Sequence, residues 1–143
     1  MNATGCVAAL DHWWNRDHDE RLQEAHRKCE RLCAELAGVP GVSPRIDESN
    51  TETFDAYGVD ISIDSSLLGI DALTVIEKLK AGDPAIWTRP TRSAGGGGGG
   101  GMDVHVSAWS LFEGEEVVVG QALRELATVA AAKATQETVV ARL

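Results

Sequence analysis

The chain has no apolar run approaching the roughly 20 residues that a membrane-spanning helix requires. Its 143 residues and 43% hydrophobic content instead suit one soluble domain with a core of its own, and no membrane partner is expected. Basic charge is also scarce. Thirteen Lys and Arg against 22 Asp and Glu leave a net charge of -9, which repels a phosphate backbone and excludes direct nucleic-acid binding as a stand-alone activity. Met1 to Gly5 carries no basic leader, and Val7 to Leu10 is too short for the apolar heart of a signal peptide, so the expected compartment is the cytoplasm.

Cysteines number three, an odd set for a disulfide framework in a chain large enough to fold without staples. Cys29 and Cys33 share one predicted helix face with His26, a grouping that could hold a metal. No fourth ligand stands nearby, so packed thiols are the preferred reading and no metal ligand is assigned. Lysines number four: Lys28, Lys78, Lys80 and Lys133, each within or ending a predicted helix among polar neighbours. A lysine that forms a Schiff base must be desolvated and held against a cofactor ring, and none of the four meets that description. His12, His18, His26 and His105 are scattered, and the carboxylates fall on wet faces or helix starts, so no nucleophile–base–acid set is legible.

From Asp17 or Asp19 to Gly38, Leu22, Ala25, Cys29, Leu32, Cys33 and Leu36 recur at offsets of three and four, the stripe of a half-buried helix. A shorter helix through Val7, Leu10 and Trp14 precedes it. After Pro40 the period changes. Val42 to Ile46 reads as a short edge strand interrupted by Pro44, residues 47 to 56 as a polar loop, and Val59 to Ile63 as a strand with one wet face. A helix capped by Asp71 ends at Gly82, Ile86 to Arg89 forms a third strand, and Val104 to Trp109 a fourth. The closing helix carries Val119, Ala122, Leu123, Leu126 and Ala130 on its apolar stripe. The resulting fold class is α+β, with order α-β-β-α-β-β-α: a small, mostly antiparallel sheet of three to four strands with helices packed on one face.

Seven glycines, Gly95 to Gly101, separate the last two strands and predict a mobile hairpin loop over 94–102. They make no phosphate cradle, because they lead into a strand rather than a helix and lack a Walker-type Lys-Ser/Thr pair. Trp87 and Trp109 are placed to face each other across this hairpin as a cross-strand pair. Trp13 and Trp14 are adjacent and cannot both enter one helix core, which leaves one of them facing outward.

Two motifs flank the glycine run: Gly82-Asp83-Pro84-Ala85-Ile86-Trp87-Thr88-Arg89 before it and Trp109-Ser110-Leu111-Phe112-Glu113-Gly114-Glu115-Glu116 after it. Both resemble the C-terminal small domain of fold-type I pyridoxal-phosphate (PLP) enzymes, in the branch of L-seryl-tRNA(Sec) selenium transferase, the sugar-acid ammonia-lyases and class V aminotransferase-like proteins. Val7-Ala8-Ala9-Leu10 looks like that family's helix leading out of the large domain. The resemblance implies residues 1–16 as a remnant of the interdomain helix, 17–126 as the small domain and 127–143 as an Ala-rich helical tail.

The same resemblance implies a function. The chain is expected to be the small-domain part of a PLP-dependent lyase or transferase acting on an amino acid or amino-sugar acid, closing over the substrate without catalysing alone. PLP in the intact family is bound mainly by the large domain, which has no counterpart here and is the implied partner. Arg89 is the candidate substrate-binding residue, since a guanidinium there can clamp a carboxylate or phosphate through paired hydrogen bonds. The bland alternative for Arg89 is a surface pair with Asp83 or Asp103. The rival readings of the chain are a stand-alone interaction or regulatory module, or a subunit of a split PLP enzyme, and a homo-oligomer is compatible with any of them.

Overall fold

The computed structural model describes residues 3–48, 57–93 and 101–143. Most of the loop expected over 47–56, and most of the mobile glycine hairpin expected over 94–102, lie outside the described residues. The elements run α1 (Ala3–Trp14), α2 (His18–Leu36), β1 (Val42–Asp47), β2 (Gly58–Ile63), α3 (Ser65–Leu68), α4 (Ala72–Lys80), β3 (Arg89–Arg92), β4 (Met102–Ser107), a 3₁₀ turn (Ala108–Ser110) and α5 (Glu115–Ala141). The four strands form one antiparallel sheet in the order β1-β2-β4-β3.

Asp17 starts α2, its carboxylate accepting the Glu20 N–H at 2.9 Å, and Asp71 does the same for α4 through the Thr74 N–H. The α2 stripe buries Ala25, Cys29, Leu32 and Leu36 against Val42, Val59 and Ile61 of the sheet. Helix α4 covers Val104 and Val106 with Val75, Ile76 and Leu79, while α5 lies outside α2 and seats Val119, Leu123 and Ala127 in the same core. Among the described residues the helices lie on one sheet face, the one that carries Val59, Ile61, Val104 and Val106. No helix among the described residues is long and apolar enough to cross a membrane.

Both sheet edges carry proline. Pro44 pairs with Ile61 without interrupting β1, because an edge strand can turn its missing N–H outward, and β1 runs on to Asp47 rather than stopping at Ile46. Pro90 lies in the opposite edge strand, β3. That strand begins at Arg89 instead of ending there: Ala85 to Thr88 joins no strand ladder, with the Ile86 N–H bonded back to the Leu79 carbonyl at 3.0 Å. The fourth strand stops at Ser107, so Trp109 sits in the 3₁₀ turn.

The expected Trp87–Trp109 pair does not form. Trp87 is 76% exposed with the Lys80 ammonium 4.6 Å from its ring, whereas Trp109 meets Trp13 edge-to-face at 6.2 Å. The Arg21 guanidinium lies 4.2 Å over Trp109 and 5.3 Å from Trp13, and burial, followed by the neighbouring Arg16, lowers its pKa. Trp13 is therefore the inward indole and Trp14, 84% exposed, the outward one.

Candidate functional site

Glu113 to Glu116, expected as solvated charges at a helix start, do more specific structural work. Gly114 adopts φ +88°, a conformation other residues rarely take, and caps α5. Glu116 is 1% exposed, accepting from Arg31 Nε at 2.7 Å and from the Gly114 N–H at 3.0 Å. Glu113 takes the other arm of Arg31 at 3.0 Å, and Glu115 accepts the Phe112 N–H at 2.8 Å. The motif after the glycine run is thus a clasp that fixes α5 to α2 through Arg31. The motif before it ends α4 and leads the chain to the edge of the sheet.

The sheet face turned away from these helices holds the chemistry. Antiparallel register places Arg45 opposite Asp60, Asp60 opposite His105, and His105 opposite Arg89, so four side chains from four strands form one row on one face. Asp60 and His105 are each 5% exposed, which corrects the reading of the β2 polar face as wet and of His105 as isolated. His105 donates Nδ1–H to Asp60 Oδ1 at 2.7 Å, and Arg45 donates Nη2–H to Asp60 Oδ2 at 2.8 Å. Since a carboxylate only accepts, the imidazole tautomer follows from the bond. Asp60 thereby has both oxygens engaged, as a carboxylate withdrawn from water must.

Arg89 starts β3 at one end of this row and is exposed. The sheet thus joins the one sequence-level candidate to three residues that were not singled out as a site. Alternation in β2 and β4 already placed Asp60 and His105 on their strands' polar faces. Their juxtaposition depends on a register between strands more than 40 residues apart, which no local spacing encodes.

The thiols face the opposite way. Cys29 is 1% exposed, and its pKa is pushed up to about 12, first by burial and then by the nearby Cys33, Asp47 and Glu30; burial and Glu30 raise Cys33 as well. His26 packs edge-to-face on Tyr57 at 5.1 Å and reaches Glu30 at 3.6 Å. Cys29 packs in the core cluster and Cys33 against it, and His26 packs against Tyr57.

Lys28 is 8% exposed, its ammonium donating to the Leu111 carbonyl at 2.9 Å and lying 3.3 Å from Glu24. Lys78 and Lys133 border an open groove of about 510 Å³ between α4, the Gly82–Pro84 turn and α5, and both are exposed.

An open four-stranded antiparallel sheet backed by helices on one face defines a small α+β domain. Its fold matches part of a D-glucosaminate-6-phosphate ammonia-lyase with a TM-score of 0.68 and 21% identity, over 89% of this chain. The match spans only 31% of that enzyme's chain. No protein-family profile matches the sequence, and no curated protein does.

Proposed function

We propose that this chain is the small-domain portion of a PLP-dependent lyase or transferase acting on an amino acid or amino-sugar acid. Its role is to bind the substrate's acidic group and close the active site against a separate large domain. The observation that carries this reading is the fold match to one part of an ammonia-lyase, combined with an exposed arginine on the sheet face turned away from the helices. Helix α1 supports it, since Val7, Leu10 and Trp14 are all more than 60% exposed, as expected of a helix whose apolar face belongs against another body.

The residues present do not fit the coenzyme by themselves. A Schiff-base lysine needs an enclosed site, yet Lys28 is tied to Leu111 and Glu24, and Lys78, Lys80 and Lys133 are exposed on helices. Incubation with PLP followed by borohydride should therefore leave no single lysine stoichiometrically labelled. One selectively trapped lysine would overturn the assignment of the coenzyme to another domain.

Arg89 is testable directly. In an NMR titration with D-glucosaminate 6-phosphate, amide shifts should centre on β3 and the facing part of β4. Arg89→Ala should weaken the response by tenfold or more, in line with loss of one charge-assisted contact worth about 1.5–3 kcal/mol. A response that is absent, or unaltered by Arg89→Ala, would remove Arg89 from substrate binding.

A further inference from the structure

Beside the Arg45–Asp60–His105–Arg89 row runs a second one, in which Gly58 stands between Asp47 of β1 and Ser107 of β4. Gly58 opens β2, and a glycine in a strand often marks close approach by another group. Here the approaching group is the His105 ring: a Cβ at Gly58 would lie 2.5 Å from its Cε1, 2.8 Å from its Nε2 and 3.0 Å from the Val106 carbonyl oxygen. Any side chain at this position would displace the imidazole.

The imidazole that fills the space over Gly58 stands among further ligand-bearing groups. One ligand atom from each of Asp47, Asp60 and His105 lies within 4.8 Å of the other two. Each comes from a different strand, and Asp60 and His105 are almost fully buried. We propose that the Asp47–Asp60–His105 cluster beside Gly58 is a divalent-cation site, with these three residues as its protein ligands and water completing the shell.

The donor set selects the class of ion. One imidazole and two carboxylates suit borderline to hard divalent metals such as Zn²⁺, Co²⁺ or Mn²⁺, and offer nothing to a soft ion. Bonds of about 2.0–2.2 Å put two tetrahedral ligand atoms roughly 3.4 Å apart, which modest side-chain rotations reach from the observed spacing. His105 Nδ1 faces Asp60 Oδ1 at 2.7 Å, so an ion entering between them takes the electron pair of Nδ1, and the proton that Nδ1 carried moves to Nε2. Arg45, bonded to Asp60 Oδ2, orients the carboxylate so that Oδ1 faces His105 Nδ1, the supporting role that outer partners play around metal ligands. A bound ion would clip β1, β2 and β4 together on the face that carries Arg89.

This site is independent of the proposed enzyme role, because its test needs neither PLP nor a large domain. The full chain is stripped with EDTA and titrated with Co²⁺, following visible d–d absorption, and with Zn²⁺ by competition. We expect one ion per chain, and a loss of affinity of tenfold or more in Asp47→Asn and in Gly58→Ala, the second of which alters no ligand atom. Cys29→Ala should bind like the parent. Because Gly58→Ala risks the fold, Mn²⁺ is added to the unaltered chain in parallel: selective paramagnetic broadening of the Gly58, Asp60 and His105 amides is expected. Absence of binding at millimolar Co²⁺ would overturn the proposal, as would affinity unchanged in Asp47→Asn, or broadening centred on the acidic helix surface.

Discussion

At the scale of single residues, burial decides which ionisable groups keep their ordinary chemistry. Cys29 is the clearest case, because its thiol is 1% exposed and its pKa rises from 9.0 to about 12, with burial the largest cause. The folded state therefore holds a proton that the unfolded chain releases above about pH 9. Its contribution to stability is complete below that value and is lost as pH climbs from about 9 toward 12. Two measurements check this. At pH 8 iodoacetamide should modify the exposed Cys6 in the native protein and leave Cys29 unmodified until denaturant is added. Urea midpoints should fall with rising pH above about 9, and Cys29→Ala should flatten that fall. Rapid native-state alkylation of Cys29 would show that the thiol is not packed as described.

At the scale of elements, the legible parts were those written in local periodicity, and the missed parts were those fixed by pairing. Leu22 to Leu36 announces α2 by its spacing, Asp17 and Asp71 announce helix starts by their capping chemistry, and Val59, Ile61 and Ile63 announce β2 by alternation. The fold class followed from these. The boundaries of β3 were displaced because Ile86 is apolar yet lies in an unpaired run, where its N–H returns to Leu79 rather than to a strand. The Trp87–Trp109 pairing failed because the ladder ends at Ser107, beyond the reach of propensity arguments. The Asp60–His105–Arg45 network was hidden for the same reason, and its members looked like an ordinary wet face.

Gly120 is a further contact that sequence conceals, since a glycine inside α5 has no local signature of use. A Cβ there would stand 2.6 Å from Glu35 Cβ and 3.1 Å from its Cγ, so the glycine is what lets α5 approach α2. The same contact brings Arg124 to the Glu35 carbonyl at the end of α2. Replacing an internal helical glycine by alanine ordinarily gains about 1 kcal/mol. Overpacking against a stem carbon costs about 1–3 kcal/mol and should reverse that gain. Gly120→Ala is therefore expected to lower the urea midpoint, and a raised midpoint would show that the two helices separate freely.

At the scale of the whole molecule, the core and the exposed apolar surface are segregated. The buried cluster draws on α2, the sheet, α4 and α5, with α1 contributing none of its members. Residues 4–12 of α1 are all exposed, and only Trp13 turns inward, to the Arg21–Trp109 stack. A helix that buries so little of itself receives little stability from this domain, because amphipathic burial rather than propensity holds most helices in place. Removing residues 1–12 while keeping Trp13 should then cost less than about 1 kcal/mol and shift Tm by no more than ~4 °C. Trp13→Ala in the full chain should cost more than that truncation, since it strips one ring from the Arg21 guanidinium and one neighbour from Trp109. Calorimetry on the two variants separates the cases. If truncation destabilises more than the single substitution, α1 is an integral part of this fold and its outward face no longer argues for a missing body; if the order is as expected, Val7, Leu10 and Trp14 are kept apolar for a surface outside the described fold.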